Sequence, residues 1–275
     1  MIRLIKRIAL FLKIDTHKIL FKILETNAQK VLERKITTLS DDKKNLLLEE
    51  DEKYHYGDSE LDEIASQYIV RSFTIDRIQF INEYLGDCQE QIILDLGDTN
   101  GIFLRSLNKN GISVNISEQT CCYLKTKKME TVRADIQVLP FKDNSIDSIF
   151  IFETLEHVEN PLLLLNEIGR VCKKSLIISI PFVSKTYINR YNYTDGRPLY
   201  QYHIFEFSPE DFKRIIRLTP FAVETDKKAV VLDEKGSFFH RIIFKLWSVL
   251  IDKDTFCGCF PKFYIVNLKK RQKEG

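Results

Sequence analysis

The feature that most constrains the fold is the stretch 92–103, in which an apolar run, an acid and two glycines follow one another. Residues 92–96 have the composition of a buried strand, with Asp95 near its carboxyl end. Gly97 and Gly101 frame a tight turn, after which apolar residues recur at helical spacing. Glycine lets the backbone turn sharply and approach a ligand where a Cβ would collide. A strand, a glycine turn and a helix in this order can build a nucleotide site.

Apolar strands and helices alternate along the rest of the chain. Pro161 and Pro209 each stand where a proline at the first turn of a helix is expected. Strands separated by helices pair in parallel, so the pattern predicts an α/β fold with a doubly wound, mostly parallel sheet. The predicted strands are 92–96, 113–116, 131–135, 146–152, 175–180 and 263–268.

The chain is predicted to begin with a helical extension and charged linker at 1–60, followed by a larger domain at 61–275. The first fifty residues contain no glycine or proline and are rich in helix formers. Within them, residues 1–13 place basic and apolar side chains on opposite arcs of a helix. Such a helix can lie on an anionic membrane surface, or it can pack its apolar face on the larger domain. Both alternatives remain open.

Composition limits the classes of function and location. A net charge of +2 argues against a dedicated nucleic-acid binder, so no nucleic-acid partner is expected. The absence of an apolar run of about 18 residues predicts no membrane-spanning helix. The scattered cysteines favour reduced, mostly buried thiols, so we expect a cytoplasmic protein, with peripheral membrane contact through residues 1–13 as an option. The six cysteines follow neither a disulfide nor a zinc spacing, so no metal site is predicted.

Polar acceptors recur where the predicted strands end. Asp95, Asn115, Asp135 and Glu153 each stand at or just after the end of a strand. In an open α/β sheet the ligand binds outside the carboxyl ends of the strands, where the strand order reverses. These side chains suit a ligand that carries hydroxyls, an amine and an ammonium group.

Three further blocks follow the glycine turn in a characteristic order. Residues 134–147 read Ala-Asp-Ile-Gln-Val-Leu-Pro-Phe-Lys-Asp-Asn-Ser-Ile-Asp, 153–158 contain Leu-Glu-His, and 167–171 read Glu-Ile-Gly-Arg-Val. Together with the turn, they resemble the motifs of class I S-adenosylmethionine-dependent methyltransferases over about residues 90–181. Two positions depart from the family pattern. Thr99 stands where the family usually has its middle glycine, and Asn115 where it usually has an acid.

The resemblance implies a Rossmann-like sheet that binds S-adenosylmethionine. Gly97 and Gly101 would line the methionine portion, with Asp95 near its ammonium. Asn115 would contact the ribose hydroxyls, and Asp135 the adenine amine. The residues implied for the cofactor are Asp95, Gly97, Thr99, Gly101, Asn115, Asp135, Ile136 and Glu153.

The resemblance also implies that His157 lies under the sulfonium and the incoming substrate. An oxygen nucleophile needs a base, for which histidine is the usual residue, and His203 is a second candidate. Glu156 is predicted to act in catalysis by orienting a histidine, and Glu153 is a second candidate for this role. Each histidine also has a structural alternative, His157 at the end of an element and His203 packed beside neighbouring phenylalanines.

Residues 182–207 are long for a connection and rich in tyrosine and arginine, which predicts a loop that covers the substrate. The expected function is therefore methyl transfer from S-adenosylmethionine to a small molecule, which could be lipid- or glycan-linked. An amphipathic pattern at 238–251 fits either core packing or an apolar entrance for such a substrate. The alternative function is a non-catalytic, methyltransferase-like binding scaffold.

Overall fold

The computed structural model describes residues 16–49, 71–85, 91–107, 111–183, 186–188, 203–230 and 262–271. The predicted amphipathic helices at 1–13 and 238–251 lie outside the described residues, as does most of the predicted cover at 182–207. The chain divides into two compact units, Met1–Ile75 with Val230–Pro261 and Asp76–Ala229 with Lys262–Gly275.

The first unit is helical over its described residues. Helix α1 spans Thr16–Ile36, α2 spans Asp41–Glu49, and α3 (Arg71–Leu85) begins in this unit. The helical prediction for the first fifty residues is thus confirmed over 16–36 and 41–49. Of the helix predicted over 64–85, the described portion is α3.

The second unit is built on a sheet of seven strands. Strands β1 to β5 pair in parallel, and β9 pairs with β5 in antiparallel orientation. The order across the sheet is β3-β2-β1-β4-β5-β9-β8. This confirms the predicted mostly parallel, Rossmann-like α/β fold. The strands are β1 (Ile93–Leu96), β2 (Gly111–Asn115), β3 (Glu130–Arg133), β4 (Ile146–Phe152), β5 (Cys172–Pro181), β8 (Phe221–Val230) and β9 (Lys262–Lys270).

The strand order reverses between β1 and β4. From β1 the chain moves outward to β2 and β3, and then returns to β4 on the other side of β1. Crossovers between parallel strands are right-handed, so the two directions place their helices on opposite faces of the sheet. A crevice therefore opens beyond the carboxyl ends of β1 and β4, where ligands bind in such folds. The helices of this unit are the rest of α3, α4 (Ile102–Leu107), α5 (Glu118–Thr126), α6 (Pro161–Val171) and α7 (Pro209–Ile216).

Local chemistry explains where α6 and α7 begin. Asn160 accepts a hydrogen bond from Leu163 N at 3.0 Å, and Ser208 accepts one from Asp211 N at 3.3 Å. Each cap satisfies an amide that the first helical turn leaves without a partner, and a proline follows it. Both predicted helix starts are confirmed. The apolar face of α6 is buried against the sheet and contributes to the core.

Several strand bounds differ from the prediction, and two of the differences have clear physical causes. Strand β3 ends at Arg133, so Asp135 lies beyond it in a turn. Strand β8 was not predicted, because its alternating charged residues are typical of a solvated segment. At the edge of the sheet, with alternate residues exposed, that composition is suitable because charges discourage pairing with another chain.

The described ends of the predicted cover form a short ribbon. Strand β6 (Tyr187–Ile188) pairs in antiparallel orientation with β7 (Phe205–Glu206). Among the residues that the structure describes, no helix combines the length and the apolar character needed to cross a bilayer.

Candidate active site at the carboxyl edge of the sheet

The glycine turn after β1 depends on left-handed backbone at both of its glycines. Gly97 has φ +81° and Gly101 has φ +75°, values that other residues adopt only with strain. The amide of Gly97 donates to Val114 O at 2.8 Å. A Cβ at Gly97 would lie 2.6 Å from Thr154 Oγ1. The turns after β1 and β4 are therefore in contact at the point where the strand order reverses.

A side chain at Gly101 would require the end of the Met129 side chain to move. A Cβ at this position would lie 1.9 Å from Met129 Sδ and 2.8 Å from its Cε. Its Cβ direction thus points at a side chain next to β3. The resemblance implied that Gly101 lines the ligand. The structure adds that its left-handed backbone and the nearby Met129 side chain both disfavour a larger residue at this position.

Asp98 holds the turn together. Its carboxylate accepts from the amides of Asn100 at 3.0 Å and Gly101 at 2.7 Å, and from Ser113 Oγ at 2.5 Å. The side chain is buried. Burial raises the pKa of Asp98, and these hydrogen bonds partly offset the rise. Sequence reasoning did not select Asp98. The sequence does show an acid between the two glycines, and such an acid can accept hydrogen bonds from the amides of the turn.

Asn115, the last residue of β2, ties the second strand to this turn. Its Nδ2 donates to Asp98 O at 2.8 Å, and its Oδ1 accepts from Ser117 N at 2.8 Å. The amide thus has both a donor and an acceptor role within the chain. One N–H of Nδ2 and the second lone pair of Oδ1 remain for the predicted contact with a ribose.

Asp95 is the most deeply buried of the predicted cofactor residues that carry a charge. It is 2% exposed, and its Oδ2 has no hydrogen-bond partner among the described residues. Burial, and secondly the charge of Asp98, raise the pKa of Asp95 well above its ordinary value. A buried carboxylate oxygen without a donor is costly, and the ammonium group of a ligand would supply the missing donor.

The remaining cofactor residues implied by the resemblance lie in surface turns. Asp135 is exposed and its Oδ1 accepts from Gln137 N at 2.9 Å. Ile136 is half-buried and packs against the core, whereas Thr99 is exposed. Asp135 and Ile136 follow β3, and Thr99 follows β1.

Two of the sequence motifs are in direct contact. Glu167 Oε1 accepts from Leu139 N at 2.7 Å, and Arg170 donates to Leu139 O at 3.0 Å and to Phe141 O at 2.8 Å. Glu167 and Arg170 also pair with each other at 2.7 Å. The Glu-x-x-Arg helix therefore fixes the backbone of the Leu-Pro-Phe turn, which explains the spacing of both.

Glu153 occupies a strained position directly after β4, with φ +47°. Its Oε1 accepts from Ser179 Oγ at 2.9 Å and lies 3.0 Å from Arg77 Nη2. The Arg77 guanidinium also stacks 4.6 Å from the ring centre of Phe263. Arg77 was not selected from the sequence, because nothing local to α3 signals a partner at the end of β4.

The three predicted catalytic residues lie together. Glu156 and His157 belong to a 3₁₀ turn, Leu155–His157, and Ile204 N donates to Glu156 O at 2.7 Å. That bond brings His203 to the turn. His203 Nε2 lies 3.9 Å from Glu156 Oε1, and the rings of His157 and His203 are 4.9 Å apart.

Glu206, which sequence reasoning did not select, orients His203. Its Oε1 lies 2.7 Å from His203 Nδ1, and both side chains are largely buried. The sequence feature that could have indicated this contact is the spacing of His203 and Glu206, three residues apart and just before the cap of α7. This carboxylate sets the ring so that Nε2 faces Glu156.

Glu156 is 1% exposed, and neither carboxylate oxygen has a hydrogen-bond partner among the described residues. Burial, and secondly the charge of Glu153, raise the pKa of Glu156 well above its ordinary value. His157 is exposed and His203 half-buried, so the cluster runs from the interior to the surface.

Comparison with known proteins identifies the type of domain that carries this site. A family model described as a methyltransferase domain matches residues 94–179. An uncharacterized protein of Methanocaldococcus jannaschii is 30% identical over 154 residues, covering 52% of this chain and 75% of that protein. A probable S-adenosylmethionine-dependent methyltransferase of Mycobacterium tuberculosis is 22% identical over 157 residues, and the match spans 54% of this chain and only 55% of its own length.

Solved structures share the fold at low identity. A putative methyltransferase from Bacillus halodurans has a TM-score of 0.52 at 14% identity, covering 72% of this chain and 100% of its own. Coclaurine N-methyltransferase, solved with N-methylheliamine and SAH, has a TM-score of 0.54 at 14% identity, covering 91% and 94%. The chain belongs to the class I S-adenosylmethionine-dependent methyltransferases, a class of enzymes whose cofactor is S-adenosylmethionine. The predicted family, enzyme class and cofactor are confirmed.

Proposed function

We propose that the protein transfers the methyl group of S-adenosylmethionine to a small-molecule acceptor, and that this acceptor is lipid- or glycan-linked. One observation supports the cofactor site most directly. Asp95 Oδ2 is buried without a hydrogen-bond donor beside the glycine turn, within the segment that matches the methyltransferase domain. An ammonium group placed there would satisfy it.

The residues that would hold the cofactor follow the carboxyl ends of β1 to β4. In this proposal Asp95 accepts from the ammonium, and the backbone at Gly97 passes close to the methionine portion. Asn115 contacts the ribose hydroxyls through its remaining N–H or its second Oδ1 lone pair, and Asp135 accepts from the adenine amine. Ile136 presents its backbone amide beside it.

S-Adenosylmethionine supplies a methyl carbon on a positively charged sulfur; transfer bonds the acceptor to that carbon and leaves the C–S electron pair on S-adenosylhomocysteine. The protein aligns the acceptor and excludes water. In the proposal His203 Nε2 removes a proton from an acceptor hydroxyl while Nδ1 donates to Glu206. The distance of 2.7 Å between Nδ1 and Glu206 Oε1 supports this division of roles.

The acceptor class is inferred from the surroundings of His203. This residue lies two residues before β7, whose pairing with β6 joins the described ends of the segment 182–207. That segment is rich in tyrosine and arginine, which suit sugars and anionic headgroups, and the near-neutral net charge gives no reason to expect a nucleic acid.

The decisive experiment has a binding step and a transfer step. Calorimetry with S-adenosylmethionine on the full chain tests the cofactor site, and absent binding would favour the scaffold alternative. Methyl-labelled cofactor is then incubated with cell extract separated into lipid, small polar and macromolecular fractions. We expect label in the lipid or small polar fraction, and label confined to protein or nucleic acid would refute the acceptor class.

The membrane contact through residues 1–13 remains a proposal, supported by the basic and apolar arcs of that segment. Co-sedimentation with anionic vesicles should exceed that with neutral vesicles and fall as salt rises. Equal recovery with both kinds of vesicle would argue against it.

A further inference from the structure

We propose that Glu156, His157 and His203 together bind a divalent first-row transition-metal ion. Each side chain offers one ligand atom, and these atoms all lie within 4.8 Å of one another. The cysteine spacing gave no reason to expect a metal site, and this cluster uses no cysteine. It forms only because Ile204 pairs with the turn that carries Glu156 and His157.

The spacing of the ligand atoms is close to what one ion requires. At metal–ligand distances of about 2.0–2.2 Å, two tetrahedral ligands stand about 3.4 Å apart. Glu156 Oε1 and His203 Nε2 are 3.9 Å apart, so a small inward movement suffices for this pair. His157 is exposed, and its ligand atom lies within 4.8 Å of those of the other two.

Charge balance gives a second, independent reason. Three carboxylates lie in this region, and two of them have cationic or donor partners. Glu153 pairs with Arg77, and Glu206 with His203. Glu156 is 1% exposed, and neither of its oxygens has a hydrogen-bond partner among the described residues. A buried carboxylate needs either a proton or a cation, and an ion held by both histidines would provide the cation.

The contact between Glu206 and His203 matches the second layer of a metal site. Metal-binding histidines usually donate their other ring N–H to a carboxylate, which fixes the tautomer and the ring orientation. Here Nδ1 lies 2.7 Å from Glu206 Oε1, and Nε2 faces Glu156. A histidine that only packs against its neighbours has no need of this arrangement.

The donor set indicates which ions fit. Two imidazoles and one carboxylate suit Zn²⁺, Co²⁺, Ni²⁺ or Fe²⁺, whereas Mg²⁺ prefers oxygen ligands alone. Three protein ligands leave positions open, and a hydroxyl bound there would lose its proton more easily. This activation of a hydroxyl rests on the proposed methyl transfer. In that case the metal ion, rather than His203, would activate the acceptor, and the acceptor atom would be an oxygen.

The test uses the full chain after removal of metal with a chelator. Co²⁺ is added and followed by calorimetry and by its visible absorption, which reports nitrogen and oxygen ligation, with Mg²⁺ as the comparison ion. We expect a single Co²⁺ per chain, and Mg²⁺ binding at least about tenfold weaker. Glu156→Gln and His203→Asn should each weaken Co²⁺ binding by about 10²-fold or more. Glu159→Gln, a matched change at an exposed glutamate close by, should leave it unaltered.

Thermal denaturation provides a readout independent of activity. Without metal, Glu156→Gln should raise Tm, because it removes a buried carboxylate that lacks a partner. Addition of Co²⁺ should then raise the Tm of the unaltered chain and of Glu159→Gln, but not that of Glu156→Gln. Equal Co²⁺ binding by Glu156→Gln and the unaltered chain would overturn the proposal, as would binding that survives loss of either histidine. Titration of the metal-free chain with S-adenosylmethionine shows separately whether the proposed function itself fails.

Discussion

Asn115 donates from its side-chain Nδ2 to the backbone carbonyl of Asp98 at 2.8 Å, so the end of β2 supports the glycine turn that follows β1. The Oδ1 of the same amide accepts from Ser117 N, and Ser117 is the capping residue of α5. A carboxylate at this position could accept from Ser117 but could not donate to Asp98. The neutral residue at position 115 thus has a structural cause that is independent of any ligand.

Asn115→Asp should weaken both the fold and the cofactor site. The new carboxylate would face the Asp98 carbonyl, and the lost hydrogen bond should cost about 1–3 kcal/mol of unfolding free energy. S-Adenosylmethionine affinity, measured by calorimetry, should fall. Asn160→Asp is the matched control, because an aspartate caps a helix as well as an asparagine does. Tighter cofactor binding by Asn115→Asp would show that charge at the ribose matters more than support of the turn.

Asp95→Asn should stabilise the fold and weaken cofactor binding. Burial raises the pKa of Asp95 above its ordinary value of 3.8, so the folded state binds this proton more tightly than the unfolded state. The protonated Asp95 side chain therefore contributes stability that is fully present below pH about 4. This contribution is lost as pH rises through the pKa of Asp95 in the folded state. The Tm advantage of the asparagine should therefore grow with pH. The loss of a charged acceptor should reduce affinity for S-adenosylmethionine by at least about tenfold.

A variant of Asp95 with a lower Tm at neutral pH would contradict this account, since it would mean that the charged carboxylate has a stabilising partner. The pH series is its own control, because the two chains should differ least in acid.

Gly101→Ala should destabilise the protein without any ligand present. The new Cβ would lie 1.9 Å from Met129 Sδ, and the residue would have to keep φ +75°. We expect a loss of about 2 kcal/mol or more in urea unfolding, from the clash and from the strained backbone. Met129→Ala in the same chain should relieve the clash but not the strain. A double variant no better than the sum of the two single changes would rule out Met129 as the obstacle.

Arg77→Met should cost about 2–3 kcal/mol of unfolding free energy. Arg77 is buried, and its removal leaves the Glu153 carboxylate without its cation. The expected loss lies below that for a fully buried pair, because Glu153 retains 26% side-chain exposure. Glu153→Gln in the same chain should recover part of the loss. Urea unfolding of the unaltered chain, the two single variants and the double variant gives the coupling energy between the two residues. A coupling energy near zero would show that Arg77 and Glu153 do not stabilise the fold as a pair.

His203→Ala should reduce methyl transfer by about 10² to 10⁴ while cofactor affinity stays nearly unchanged. The reason is that Nε2, set by Glu206, is the group proposed to act on the acceptor. Turnover per folded molecule and Tm are measured on one preparation. His157→Ala is measured alongside it, because that ring lies 4.9 Å away and the resemblance places it near the sulfonium. An effect on turnover from His157→Ala alone would show that His203 is not the base. A lower Tm with unaltered turnover would mean that His203 only packs in the fold.

The sequence predicts those parts of the fold whose causes are local. Proline after a capping residue marks the starts of α6 and α7, and a mostly apolar run marks the centres of β4 and β5. Strand β8 was not predicted, because the charges of an edge strand have the same pattern as a solvated connection. The end of β3 was placed too late, because the alternation of polar and apolar residues continues through Asp135.

For the candidate site, the sequence predicts which strand ends gather but not which side chains pair there. Arg77 and Ser179 are hydrogen-bonded across a separation of 102 residues, and Ser113 and Asp98 across 15. Nothing in either local pattern identifies the partner, because such contacts follow from the strand order. The role of Glu206 could have been predicted only once His203 was known to turn toward Glu156.

The position of Arg77 also determines how far the chain can be shortened. The methyltransferase match begins at residue 94, yet the guanidinium that neutralises Glu153 comes from α3. A fragment cut at the start of the match would lose only the first residue of β1 from the described strands, yet it would leave the Glu153 carboxylate without its cation. Recombinant fragments, chimaeras and domain exchanges should therefore begin ahead of Arg77, because the boundary given by sequence similarity leaves out a residue that pairs with Glu153.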